Sequence, residues 1–429
     1  MSQNIFSTPF TAESNTIDFA KKMDQADPLK KFRDEFHFPQ TAKGENQLYF
    51  AGHSLGLMPK RAHAFVNQEL NSWAKYGVEG HFLGSHPWVH YHEFITESFA
   101  RLVGAKKSEV IAMNTLTVNL HLMLVSFYRP TQKRFKILIE NNTFPSDKYA
   151  VDSQARFHGF DPKQAIVELK PGVDGLTVSE ESILETIKQH GDELAVIMLG
   201  DCNYLSGQKF DMKKIVEAGH KVGAVVGFNL AHGAGNLHLT LHDDNVDFAM
   251  WCSYKYLNSG PGGLAGAYVN EKHLNKKDIP RFEGWWGHNK ESRFKMGPDF
   301  EPLPTAEAWQ LSNPPIFQLA SLRASMELFD EAGIKNLREK GDHLTGYFEW
   351  LLKENLADTI EVVTPKSRGS MLCLKFKTSP KAWFDKMIHA GCIVDFREPY
   401  IIRATPVPLY NNYEDVFKLV MLLKEFSKG

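Results

Sequence analysis

Short, nearly continuous apolar runs separated by amphipathic stretches fill the middle of the chain. The runs 135–140 (FKILIE), Leu194–Gly200 (LAVIMLG), 223–228 (GAVVGF), 246–251 (VDFAMW) and 264–269 (LAGAYV) have the length and composition of strands buried on both faces. Helices are predicted between them at 179–190 and 212–222. Buried strands alternating with helices indicate an α/β protein whose mostly parallel sheet is covered on both sides. Upstream, 19–36 mixes apolar and charged residues as a helix would, and Lys60–Tyr76 carries Ala62, Phe65, Val66, Leu70 and Trp73 at helical spacing. The pattern breaks at Asn313-Pro314-Pro315. A long helix is expected from about Ile316, followed by sparser helices and strands that include 369–376 and 391–394. The expected organisation is an N-terminal helical arm over 1–60, a large domain over 61–315 and a smaller C-terminal α/β domain over 316–429.

An open α/β sheet binds ligands beyond the carboxyl ends of its strands. Three such exits carry polar residues of interest. The first holds Phe144, Pro145, Ser146 and Asp147; the second runs Asn229-Leu230-Ala231-His232; the third runs Cys252-Ser253-Tyr254-Lys255-Tyr256 and leads to Gly260, Gly262 and Gly263. A lysine just past an apolar strand is partly desolvated, which favours the neutral amine that forms a Schiff base. Taken singly, each residue also has an ordinary reading: Lys255 as a loop lysine reaching solvent, His232 as a packed histidine, Asp147 as a helix cap. The segment Thr115-Leu116-Thr117-Val118-Asn119 precedes a predicted helix, where amides and the Thr117 hydroxyl suit either a phosphate or a plain N-cap. The glycines lack the spacing of a P-loop or a dinucleotide fingerprint.

Together these segments resemble the kynureninase family of fold-type I pyridoxal-phosphate enzymes over essentially the whole chain. The resemblance is carried by YFAGHSLGLMP (49–59), NTLTVNLHLML (114–124), FPSD (144–147), Ala231-His232, WCSYKYLN (251–258), GWWGH (284–288), RFKM (293–296), LSNPP (311–315) and RATPVPLYN (403–411). It implies hydrolysis of L-kynurenine or 3-hydroxykynurenine to alanine and an anthranilate, with pyridoxal 5′-phosphate as cofactor. Lys255 is then expected to be the Schiff-base lysine, and Lys255 and Tyr254 the groups that move protons. Leu116, Thr117, Phe144, Asp147, Asn229, His232, Tyr254 and Lys255 are expected around the cofactor, with Trp285 and Asn313 completing the site from the neighbouring subunit of a homodimer. Ser54, His81 and Asn313 match positions lining the substrate pocket. Arg403 matches the arginine that pairs with the substrate carboxylate, a task suited to its planar fork.

Three places depart from the family pattern. Asn229 stands where relatives carry the aspartate that salt-bridges the pyridine nitrogen; losing that charge costs about 1.5–3 kcal/mol, or roughly one to two units of ring-nitrogen pKa. Gly200-Asp201-Cys202 and Asp244 are the other two. They leave room for two alternatives on the same scaffold: another carbon–carbon or carbon–sulfur lyase, and a paralogue with impaired turnover.

Composition narrows the picture without redirecting it. In 429 residues the formal charge is −2, which gives no basic footprint for nucleic acid and no polybasic patch for a membrane surface. No apolar stretch approaches the roughly 18 residues that cross a bilayer, and residues 1–6 show no secretory pattern, so a cytoplasmic location is expected. Cys202, Cys252, Cys373 and Cys392 have neither disulfide-framework nor zinc spacing, and no metal is expected.

Overall fold

The computed structural model describes residues 5–276, 278–378 and 380–428. Its centre is a seven-stranded sheet built from β1 (Val110–Ala112), β2 (Lys136–Ile139), β3 (Ile166–Glu168), β4 (Leu194–Gly200), β5 (Val225–Asn229), β6 (Phe248–Trp251) and β7 (Gly266–Val269), in the order β1-β7-β6-β5-β4-β2-β3. Strands β2 to β6 pair in parallel, whereas β7 runs antiparallel to both β6 and β1. The apolar run at 264–269 marks a buried strand without revealing its direction, because a strand covered on both faces looks alike either way. Side chains on the two faces fill separate apolar cores.

Register determines what meets at the carboxyl edge. Gly200 lies opposite Asn229, and Asn229 opposite Met250, so β4, β5 and β6 end level with one another. The loops leaving them therefore open onto one cleft. The connecting helices start on capping residues: Ser179 accepts from the Ser182 amide ahead of Glu180–His190, and Asp211 from the Lys214 amide ahead of Met212–Lys221.

The segment 19–36 is not one helix. It divides into α1 (Ile17–Ala26) and a 3-10 turn (Lys30–Glu35), with Asp27 extended at ψ 116° between them. Pro28 accounts for the break, since its ring excludes helical backbone from the residue before it. Helices α2 (Lys60–Tyr76) and α3 (Glu93–Val103) follow, then α4 (Leu116–Phe127) and α5 (Pro145–Phe157) beside the cleft.

Beyond Pro315, α6 (Ile316–Ala332) packs on α2 and α3, and its buried residues share a core with the large sheet. The second sheet is antiparallel, with β8 (Ile360–Val362), β9 (Leu372–Phe376), β10 (Asp395–Arg397) and β11 (Ile401–Ala404) in the order β8-β9-β11-β10. Helices α7 (Ile334–Leu356) and α8 (Tyr413–Phe426) cover it, together with α1 and Phe50 from the amino-terminal arm. Main-chain pairing secures that arm: Leu48–Tyr49 lies parallel to Cys392–Ile393, and Ala51 bridges Thr405. No helix among the described residues is long and apolar enough to cross a membrane.

Candidate active site

Leu116, Thr117, Phe144, Asp147, Asn229, His232, Tyr254 and Lys255 line a single cavity of about 210 Å³ at the carboxyl edge of the large sheet. One end is built for an anion. Helices α4 and α5 converge there with no side-chain cap on either, which leaves first-turn amides of α4 unspent, while in α5 Pro145 has no N–H and the Asp147 amide donates to the Phe144 carbonyl; Thr117 Oγ1 lies 2.7 Å from Ser146 Oγ.

The floor is acidic. Asn229 Nδ2 donates to Asp147 Oδ2 at 2.7 Å, and Asn229 Oδ1 accepts from the Ala231 amide at 3.0 Å, which fixes the orientation of the amide. Burial pushes the Asp147 carboxyl up to about 6, against the opposing pull of the Asn229 hydrogen bond and the Lys255 charge. Two further acids stand behind it: Glu140, which the sequence reading did not single out, and Asp201, which it noted only as a departure from the family pattern. Glu140 accepts from the Gly200 amide at 2.6 Å and from Asn203 Nδ2 at 2.5 Å, and burial raises its pKa. Asp201 is fully buried, neither carboxylate oxygen has a well-aligned donor, and its pKa is pushed up to about 8. Its carboxylate occupies the space over Gly233, where a Cβ would fall 1.3 Å from Oδ2.

The other side is cationic. Lys255 Nζ lies 3.2 Å from His232 Nε2. Burial lowers the pKa of both groups, holding the imidazole neutral and moving the amine toward its nucleophilic form. Burial raises the Tyr254 phenol, which keeps its proton at neutral pH. Arg403, on β11, is buried; its charge reaches both Lys255 and His232, although it does not line the cavity. Its guanidinium is engaged by Asp395 (Nε 2.8 Å, Nη2 2.7 Å) and by the Tyr204 carbonyl (Nη1 2.6 Å).

Comparison with known proteins settles the family. The chain is 56% identical over 424 residues to a kynureninase of Myxococcus xanthus (strain DK1622), covering 98% of this chain and 99% of that one. It is 52% identical over 412 residues to a kynureninase of Koribacter versatilis (strain Ellin345), covering 95% and 97%. The chain belongs to the kynureninase family. Residues 337–423 match the kynureninase C-terminal domain. The solved structures it resembles share the fold at low identity. The cysteine desulfurase CsdA of Escherichia coli gives a TM-score of 0.75 at 16% identity, over 93% of this chain and 98% of that one. A C-DES mutant with glycine linked to its PLP cofactor gives 0.75 at 16%, over 92% and 99%.

The remaining positions expected from the kynureninase pattern lie apart from the cavity. Ser54 and Asn313 are exposed, and Asn313 lines a separate cleft with Gln310 and Pro314. His81 stacks edge-on against Trp88 at 5.3 Å. Trp285 is 40% exposed and donates to the Arg293 carbonyl at 3.0 Å. Within this single chain the cavity is therefore assembled from eight of the expected positions, and the sequence pattern alone gave no sign of Glu140, Tyr204 or Asp395. Elsewhere among the described residues, His92, Glu93 and Glu307 stand close enough to hold a cation, but Lys290 already supplies that charge at 2.8 Å from Glu93 and 2.9 Å from Glu307.

Proposed function

We propose that this chain is a pyridoxal-phosphate-dependent hydrolase that cleaves the β–γ carbon–carbon bond of L-kynurenine or 3-hydroxykynurenine, releasing L-alanine and anthranilate or 3-hydroxyanthranilate. The observation that carries the proposal is the Lys255 amine, held 3.2 Å from a neutral His232 in a cavity with an anion seat at one end and a buried carboxyl on its floor. That donor set fits the cofactor. The Thr117 and Ser146 hydroxyls and the first-turn amides would take its phosphate, Asp147, oriented by Asn229, its ring nitrogen, His232 and Phe144 its ring faces, and Lys255 its aldehyde carbon. His232 Nδ1 is buried without a protein partner, consistent with a group meant to meet a ligand.

When bound, the cofactor supplies an electron sink for the charge that develops at the substrate α-carbon. Lys255, once its amine is free, takes the α-proton, and its lowered pKa suits that work near neutrality. Tyr254 retains a proton and is placed to donate it. Water adds to the γ-carbonyl, the β–γ bond breaks, the aryl fragment leaves as a carboxylate and the β-carbon takes up a proton. Arg403 holds the amino-acid carboxylate. Asp147 serves as counter-ion to the ring nitrogen in place of Asn229, whose neutral amide instead orients that acid.

The same reading extends to assembly and location. Phe82, Phe294 and Trp285, 57%, 49% and 40% exposed and linked through Phe294 at centroid distances of 5.9 and 5.5 Å, form an apolar surface suited to a second copy. The homodimer would bring Trp285 and Asn313 to a neighbour's cavity, and Ser54 and His81 to its rim. Four buried free thiols suit a reducing compartment such as the cytoplasm. Since α6 shares the core of the large sheet, we place the start of the smaller domain near α7.

The test supplies cofactor-saturated protein with L-kynurenine and 3-hydroxykynurenine and follows anthranilate fluorescence together with alanine. Stoichiometric product from either supports the proposal. Absence of product from both, or product from a sulfur amino acid alone, overturns it.

A further inference from the structure

Behind the cationic side of the cavity, outside its lining, lies a side chain to which the preceding reading gives no task. His53 is 1% exposed and lies in the loop that follows the arm's pairing with Cys392–Ile393. Its Nδ1 is fixed by Thr405 Oγ1 at 2.7 Å, two residues beyond Arg403 on the same chain segment. Its other nitrogen, Nε2, is buried and meets no partner. Around it stand Arg403, Lys255 and Arg397, all close enough for their charges to act on the ring, and His232 in turn feels His53. The close fit is built in: at Gly52 a Cβ would lie 2.2 Å from Tyr410 Oη and 2.6 Å from Val407 Cγ2, so the loop can reach this depth only without a side chain there.

Burial and three neighbouring cations keep the imidazole neutral. A neutral ring anchored through Nδ1 presents Nε2 as a fixed hydrogen-bonding group that adds no charge. Arg403 cannot grip a carboxylate alone with all its donors, because Asp395 and the Tyr204 carbonyl already engage Nε, Nη1 and Nη2. An incoming carboxylate has two oxygens to satisfy and finds Arg403 partly committed.

We propose that His53 is a substrate-binding residue whose Nε2–H, aligned by Thr405, shares the α-carboxylate of the amino-acid substrate with Arg403. The proposal rests on the reading of Arg403 as the carboxylate arginine, but not on hydrolysis of kynurenine. Thr405 is thereby a positioning residue: its hydroxyl, donating to Nδ1, fixes the ring with the proton on Nε2.

Two substitutions separate binding from packing. In His53→Asn the amide overlays Nδ1, keeps the Thr405 contact and removes the distal group; in His53→Gln a donor returns at the distal position. Affinity is read from the cofactor absorbance of the loaded protein titrated with L-alanine and with ethylamine, the same amine without its carboxylate. His53→Asn is expected to weaken L-alanine about tenfold or more, the loss of one charge-assisted hydrogen bond, and to leave ethylamine unchanged. His53→Gln is expected to restore most of the difference. With L-kynurenine, KM should rise while kcat changes little. Equal losses for both ligands, no loss for either, or a His53→Asn variant that no longer takes up cofactor assigns the ring to structure and overturns the proposal. Because L-alanine and ethylamine are not turned over, failure of the hydrolase reading leaves this result legible.

Discussion

Replacing Asp201 by asparagine is expected to stabilise the protein, increasingly so as pH rises from 4 to 8. The carboxyl is fully buried and its pKa stands at about 8 instead of 3.8, because burial penalises the charged form and Glu140 adds repulsion. The folded state therefore binds this proton more tightly than the unfolded chain, and stability is lost as pH climbs from the unfolded pKa to the folded one. Each pH unit in that window costs about 1.4 kcal/mol, which sets a ceiling of about 4 kcal/mol at pH 7. Asparagine buries the same shape and polarity without the proton-uptake cost, so the difference between variant and parent isolates ionisation. Relaxation around the site reduces the ceiling, and a gain of about 2 kcal/mol at pH 7 agrees with costs known for unpartnered buried polar groups. The assay is the unfolding midpoint of both proteins, without cofactor, at pH 5, 6, 7 and 8. The gap should widen through the series. A gap that stays flat or narrows refutes the assignment of a buried, protonated Asp201.

Gly233→Ala should be destabilising by about 1–3 kcal/mol, because its Cβ would fall 1.3 Å from Asp201 Oδ2, and combination with Asp201→Ser should recover most of the loss in an unfolding titration. With the Asp147 carboxyl at about 6, kcat/KM for L-kynurenine should fall as pH drops through 6 and the counter-ion is neutralised; Asn229→Ala removes the hydrogen bond that lowers this pKa and should move the acid limb upward in a pH–rate profile. Asn229→Asp should raise turnover by supplying a second negative charge to the ring nitrogen, yet lower the unfolding midpoint without cofactor, since two carboxylates would then face each other across a 2.7 Å contact; unchanged or slower turnover removes the account of Asp147 as a substitute counter-ion.

Much of this molecule was legible in the order of its residues. Apolar runs located β2, β4, β5, β6 and β7 to within about two residues, because a strand covered on both faces has almost no freedom in composition. Direction was another matter: LAGAYV gave no clue that β7 opposes its neighbours. Around the cavity, Asp147, Asn229, His232 and Lys255 stood out because each lies at the carboxyl end of a strand or in the segment that follows it, where sheet architecture concentrates chemistry. Glu140 escaped notice as the last residue of an apolar run, and its partner Asn203 is 63 positions away. The pairing of His53 with Thr405 spans 352 positions, and Arg403 meets the Tyr204 carbonyl across 199. Contacts of that kind are products of tertiary packing and leave no periodic trace. Trp285 and Asn313 lie outside the cavity of one chain, an arrangement that the proposed homodimer would account for.

The seam between the amino-terminal arm and the C-terminal sheet has a mechanical meaning. Leu48–Tyr49 is laced to Cys392–Ile393, and Ala51 to Thr405, so the loop bearing His53 is carried on the same body as Arg403 and Asp395. Lys255 and His232 ride on the large sheet instead. Any rocking of one body against the other would thus swing the proposed carboxylate grip as a unit, widening or narrowing its distance to the Lys255 amine while the grip's internal spacing stays fixed.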